Sequence, residues 1–566
     1  MSPYRNDDIV TRPSHARTTI QWPVQLAPTA SIDEPLRAGG PWIVALNGVP
    51  KARVSADVAN VLKVLDGKKE PAQVAHHLGS PWTAEDVMGV ARQLVHTGVF
   101  DVTANQAETR RVQFRAPLTV QVTLFNPGPL LNFFRPTVAA MARPGFIAAA
   151  AVLLVGGIIG AFIAGPNVWR VLATPLPLEA YLYVATAMFA STLLHELGHG
   201  MALVYFGGTA RRIGIMLFYL APAFFCDVTD GWRLSSPKQR VLVALAGPFV
   251  HLGLGSIALV FQCFVPATSL KDAAILYGII CYAIAVLNLL PFIKLDGYVA
   301  LMSAVDIPHL RRKSIAALSD VVSSRFLGSR INTGSQRLLT WFGLASFVSG
   351  IAFMVIGFQR FAPIVLQLGY AGHLVVLVVF GLLLVLALKG IIQFFHSASK
   401  RGSPTWRRIG FLLLGTAVAA GLLIVIPIRS VVVAGYTYIN GELKIVTPIE
   451  STAQAIVPGD RVTLKSQGMV VHEELGQATI GTEPPSNSIA PVETIVPVTF
   501  PGTNVPVRAY PGRLEGSVSL PVSGRAEVTS QREMRLWEWL WDAASNSPLW
   551  PGNFGQATKV STGGQQ

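Results

Sequence analysis

The chain has 566 residues, of which 51% are hydrophobic and only 13% charged, with a formal net charge of +14. That apolarity excludes an all-soluble enzyme of this size and fits a membrane protein with soluble parts attached. The Lys and Arg residues cluster in short loops beside apolar spans, the pattern of a membrane protein rather than of a nucleic-acid binder, so no nucleic-acid partner is expected.

Residues 1–30 are polar and predict a flexible N-terminus. They contain no apolar stretch of the secretory-signal kind, which places the first domain in the cytoplasm. Residues 31–105 read as a small soluble module. WIVALNG, from Trp42, predicts a strand and a turn. Ser55 is placed to cap a helix through Leu65, with Val58, Val61, Leu62 and Leu65 on one face and Gly67 ending it. A short helix follows over Ala72–Leu78. Thr83, with Asp86 three residues on, opens a third carrying Val87, Val90, Leu94 and Val95, which stops at Gly98. Strand, turn and three helices make a winged-helix-like unit. Its acids and bases roughly balance, which gives no electrostatic footprint for DNA.

Residues 106–144 form a linker with an interfacial character. From residue 145 the chain is strongly apolar, and seven spans are predicted, each near the ~20 residues a bilayer requires: 145–164, 180–204, 240–266, 274–294, 338–358, 371–394 and 409–427. Ile213–Phe225 is also apolar, is interrupted by Pro222, and reads as re-entrant. Basic clusters flank the first span and follow the second, fourth and sixth, so the N-terminus is expected in the cytoplasm and the C-terminus outside. Cys226, Cys263 and Cys281 lie in or beside apolar segments and read as buried small hydrophobes, neither a disulfide framework nor a thiolate metal site.

The second span carries TLLHELGHG. In H-E-x-x-H on a helix, His195 and His199 share one face a turn apart and can bind one Zn²⁺. Glu196 sits beside them, placed to act on a water that the metal activates. Two imidazoles and a carboxylate inside a membrane-grade helix cost several kcal/mol unless a metal or a wet cavity compensates. A third ligand is offered by NLLPFIKLDGY: Asp296, aimed inward by a helix break at Pro291 and a turn at Gly297. Asn288 is a candidate for hydrogen-bonding the substrate backbone or the oxyanion, against a plain helix-packing role.

Residues 428–566 predict a β-rich exterior domain. SVVVAGYTYI, LKIVTPI and DRVTLKSQGMVV are rich in β-branched residues with turn signals between them. Near the end, Trp537 and Trp541 share a helical face, which suits an interfacial amphipathic helix or packing onto the β-domain.

HELGH together with N-x-x-P-x-x-x-L-D-G resembles the site-2 protease family of membrane zinc peptidases, over roughly residues 180–305. The resemblance implies His195, His199 and Asp296 as zinc ligands and Glu196 as catalytic acid/base. Ala246–Pro248 resembles a helix start of that family, but His251 stands where Asn is often found, which puts a role for the third span in doubt. FFCDVTDGWRLSSPKQRVLVALAGP is similar to the peptide zinc metalloprotease branch. In it, Asp227 and Asp230 either line the cleft or cap the loop, with capping favoured. The N-terminal module resembles PqqD-like domains, which grip a leader peptide between a strand and a helix. The combination is similar to the leader peptidases of modified-peptide clusters, including those making daptides.

The expected fold is therefore an α-helical polytopic membrane protein of about seven spans with an N-terminal winged-helix-like α/β domain: a PqqD-like domain at 31–105, a transmembrane zinc protease domain at 145–427 and a β-rich exterior domain at 428–566.

 The expected activity is peptide-bond hydrolysis near the bilayer by a zinc metalloendopeptidase, with a precursor or membrane peptide as substrate and leader removal as its purpose. Two other readings stay open: regulated proteolysis of a membrane-anchored regulator, and a peptide export or immunity component with a transporter or adaptor partner. The bacterial cytoplasmic membrane is what the family resemblance implies.

Overall fold

The computed structural model describes residues 22–35, 41–46, 49–100, 112–115, 119–218, 221–307, 309–329, 337–366, 370–449, 456–516, 518–538 and 541. The first 21 residues, residues 106–111 and 116–118 of the 106–144 linker and the last 25 residues lie outside that set, and with them most of the expected flexible N-terminus and the end of the tryptophan segment.

The N-terminal module begins with three antiparallel strands in the order β1 (Ala30–Asp33), β2 (Trp42–Leu46) and β3 (Val49–Val54). Helices α1 (Ala56–Val64), α2 (Pro71–Leu78) and α3 (Ala84–Leu94) follow. Each starts where its capping chemistry dictates. Ser55 Oγ accepts the Val58 N–H at 3.3 Å, and Thr83 and Asp86 cap one another's backbone N–H groups. Such caps each stabilise by about 1 kcal/mol. Val44, Val61, Leu62, Val74, Val87 and Leu94 close a single core beneath the sheet.

Next come β4 (Val112–Arg115), β5 (Thr119–Phe125), α4 (Gly128–Phe133), α5 (Arg135–Met141) and α6 (Pro144–Ala173), which kinks at Gly165–Pro166. A short β6 (Leu176–Pro177) leads into α7 (Leu178–Tyr205), which carries HELGH. The apolar stretch read as re-entrant is instead a hairpin, β7 (Ile213–Phe218) and β8 (Ala221–Cys226), added to β4 and β5 in the order β4-β5-β7-β8. Its Ile- and Phe-rich composition fits a pleated sheet as well as an apolar loop. Pro222 is tolerated because β8 is an edge strand.

Helices α8 (Pro237–Phe261), α9 (Ser269–Asn288), α10 (Asp296–Ala304), α11 (Leu310–Leu327), α12 (Arg337–Leu366), α13 (Tyr370–Lys400) and α14 (Thr405–Val425) complete the helical part. Ala246–Pro248 lies in the middle of α8, not at a helix start as the resemblance implied. Among the described residues, six helices are long and apolar enough to cross a membrane: α6, α8, α9, α14 and the larger parts of α12 and α13. The chain is thus a multi-pass membrane protein. The remaining expected span, the second, is α7, a 28-residue helix whose Glu179, His195, Glu196 and His199 lower its apolarity.

The chain divides into two units. One comprises residues 1–160, 185–264 and 277–308 and contains the N-terminal module, the four-stranded sheet and the HELGH motif. In it, Leu131, Leu203, Val204, Leu234 and Val243 pack α4, α7 and α8 together.

The other unit comprises residues 161–184, 265–276 and 309–566. Its β-domain contains β9 (Pro427–Ile439), β10 (Glu442–Pro448), β11 (Arg461–Lys465), β12 (Glu474–Ile480), β13 (Ser486–Pro491), β14 (Val498–Thr499), β15 (Asn504–Glu515) and β16 (Ser523–Arg535). The order β10-β9-β16-β11-β12-β15 closes through a β10–β15 pairing, and β13 joins β15 from outside the ring. Alternate residues fill the interior, among them Tyr436, Ile445, Leu464 and Val528. The turn before β11 is fixed by Asp460, which accepts the Val457 N–H at 3.0 Å.

Candidate metal centre and cavity

Helical periodicity brings His195 and His199 together on α7, with their Nε2 atoms 3.2 Å apart. The third donor comes from the start of α10. Asp296 Oδ2 lies 3.1 Å from His195 Nε2, and Oδ1 lies 3.4 Å from His199 Nε2. Tetrahedral zinc with bonds of ~2.0–2.1 Å holds its ligands roughly 3.3–3.4 Å apart. The donor set and its spacing therefore fit zinc. Both imidazoles are buried, each only 6% exposed.

Helix α8 orients both rings. His199 Nδ1 lies 2.7 Å from the Val243 carbonyl oxygen, which only accepts, so that nitrogen carries the proton and Nε2 has a free lone pair. His195 Nδ1 lies 2.8 Å from His251 Nδ1. With His195 Nε2 also free to ligate, its Nδ1–H donates to His251. The third span, whose role the resemblance put in doubt, thus supplies the groups that fix both candidate ligands. His251 is missed by sequence reasoning because only the fold places it beside His195. Gly247 of α8 faces the same two imidazoles, and an added Cβ would collide with both Nε2 atoms.

Gly297 plays a different part from the expected turn. It lies in the first turn of α10, and a Cβ there would strike the Leu289 backbone. Its missing side chain lets the end of α9 approach and so sets the position of Asp296.

Glu196 Oε2 accepts the Cys226 backbone N–H at 2.8 Å, which ties the carboxylate to the end of β8. Burial, with Glu196 and Asp227 nearby, pushes the Cys226 thiol up to about 12, so it stays protonated and is not a thiolate ligand. A cavity of about 400 Å³ opens over these groups. Glu196, His199 and Asp296 form part of its wall, with Met216, Phe225 and Trp232 among its apolar and aromatic lining.

Asp227 lines this cavity and also holds its loop. Arg212 donates to it through Nε at 3.0 Å and Nη2 at 2.6 Å, and the Thr229 hydroxyl donates to its other oxygen. Burial raises the Asp227 pKa, but these hydrogen bonds and the Arg212 charge outweigh it and hold the carboxyl below the usual carboxylate range. Asp230 caps a backbone turn, accepting the Thr209 N–H at 2.8 Å. Asn288, at the end of α9, is half-buried and is not among the residues lining the cavity.

Residues 183–276 match the profile of Peptidase family M50, a zinc-dependent family. The matched segment contains His195, Glu196, His199 and His251. Asp296 lies beyond it and joins the site through the fold. The chain is 27% identical over 136 residues to the Bacillus subtilis (strain 168) protein named "Putative peptide zinc metalloprotease protein YydH", covering 24% of this chain and 52% of that protein. It is 32% identical over 168 residues to "Putative zinc metalloprotease sll0528" of Synechocystis, covering 29% of this chain and 42% of that protein. The chain spans about half the length of the curated relatives it matches. No solved structure matches it.

Proposed function

We propose that the chain is a membrane-embedded zinc metalloendopeptidase that removes a leader from a ribosomally made precursor peptide. One observation carries the peptidase reading: three donors at zinc-ligand spacing, with a carboxylate next in sequence to one of them and a cavity over both. His195, His199 and Asp296 would hold the ion. When bound, zinc supplies Lewis acidity towards a water and the scissile carbonyl.

The protein's own groups do the rest. Glu196 takes the proton from the water as the water oxygen bonds to the carbonyl carbon, then passes that proton to the amide nitrogen, so that the peptide C–N bond breaks and the amine leaves. The Cys226 N–H holds that carboxylate in one orientation. The apolar walls favour an extended peptide, since a peptide bond inside a helix is shielded from attack. Asn288 as an oxyanion donor lacks support from the cavity lining, and Asn288→Ala is expected to cleave like the parent.

Leader removal is supported by the N-terminal module, whose β2 and β3 pack against the 229–233 turn at the cavity wall. A peptide held there lies near the site. The test is the intact mass of candidate precursors, taken from neighbouring genes and co-expressed with the wild-type protein or Glu196→Gln. A shortened peptide with the wild type alone is expected, since loss of the acid/base costs about 10²–10⁴-fold in rate. Glu196→Gln should keep its zinc. Equal masses with both proteins, despite zinc occupancy and precursor binding, would overturn the hydrolytic reading.

A further inference from the structure

Where the N-terminal module meets the cavity wall, two arginines share one carboxylate. Arg53 of β3 places Nη1 3.2 Å from Asp306 Oδ1, and its guanidinium lies 4.9 Å from the centre of the Trp232 ring. Arg240 of α8 directs Nη2 to the same oxygen at 2.5 Å and Nη1 to the Leu234 carbonyl at 2.8 Å. Its side chain is only 4% exposed, and both it and Trp232 line the cavity. Arg233, next to Trp232, gives Nη1 to Asp230 and Nη2 to the Glu34 carbonyl, which leaves only its Nε without an acceptor.

The donors left over are specific ones. Arg53 Nε and Nη2 are buried with no protein acceptor, and so is Arg240 Nε. Nε and Nη2 form the side-on edge of a guanidinium, which grips a carboxylate with two parallel hydrogen bonds. Arg212 turns that same edge to Asp227 nearby, with both donors on Oδ2. The cluster holds two positive charges against one negative, so it has both the geometry and the charge for a second carboxylate.

We propose that Arg53 and Arg240, beside Trp232, form a carboxylate-binding subsite at the cavity wall, which takes an acidic side chain or the terminal carboxylate of a peptide. This rests on the peptidase reading above. The subsite would select where along a bound peptide the metal centre acts, and it would do so through a residue of the N-terminal module.

The test uses full-length Glu196→Gln protein in detergent micelles and fluorescence anisotropy of one short rhodamine-labelled peptide. Its versions carry Glu or Gln at the centre and a free or amidated C-terminus. A carboxylate-bearing version is expected to bind roughly tenfold more tightly than the neutral one, the scale of one charge-assisted pair. Whichever carboxylate matters identifies the source. Arg53→Gln and Arg53→Lys should both erase the preference. Lysine keeps the charge facing Asp306 and Trp232 but lacks the fork, so it separates recognition from mere docking of the module. Equal binding of all versions, or a preference that survives in the lysine variant, overturns the subsite and leaves the peptidase reading standing. No binding of any version overturns that reading, and the subsite with it.

Discussion

His251 shows how a residue outside the motif sets the state of one inside it. Its Nδ1 accepts from His195 Nδ1, which leaves the His195 Nε2 lone pair facing His199 and Asp296. Removing such an outer partner typically weakens metal binding about 10–100-fold. His251→Ala is expected to lose zinc affinity on that scale, measured by competition with a chromophoric chelator, and His251→Asn to restore part of it because an amide oxygen can still accept. Unchanged affinity in the alanine variant would remove His251 from the site. His195, Glu196 and His199 were legible because the 3.6-residue period puts the imidazoles on one face whatever the tertiary fold. His251 was not, because its partner is 56 positions away. Arg53 and Asp306 are separated by 253, and no local pattern records that distance.

At the level of elements, the β7–β8 hairpin is what the sequence concealed. An apolar run broken by proline suits a buried loop, a strand or a short helix, and only strand partners decide between them. Capped helices were easier: Ser55 and Thr83 begin α1 and α3 because a hydroxyl beside a free backbone N–H has one local solution. The hairpin's exit depends on Asp227, which yields a pH prediction. Its folded pKa lies below the unfolded value, so its stabilisation is complete above about pH 4 and is lost as pH falls through the folded pKa. Thermal unfolding of the wild type and Asp227→Asn should therefore differ most near neutral pH and converge in acid. A constant gap would assign the effect to packing instead.

Across the whole molecule, the apolar spans and the β-rich C-terminal region were legible from hydropathy and β-branched composition. Closure of the β-domain was not, because it rests on the pairing of β10 with β15. The N-terminal module predicts a separation of functions. Protein lacking residues 1–105 should retain zinc by elemental analysis yet lose cleavage of its precursor in the intact-mass assay. Full cleavage by the truncated protein would favour a general intramembrane protease. The metal centre also joins two helices far apart in the chain. Holding Asp296 against His195 and His199 closes a loop of roughly a hundred residues, so an ion bound only by the folded chain offsets the entropy cost of that closure. Chelation should then lower the melting temperature as well as stop turnover, and an ion present at about 100 times its dissociation constant would contribute about 2.7 kcal/mol to the folded state. In a cell short of zinc, the helices would lose that grip at the same moment as the proposed activity, and the protein would become looser as well as silent.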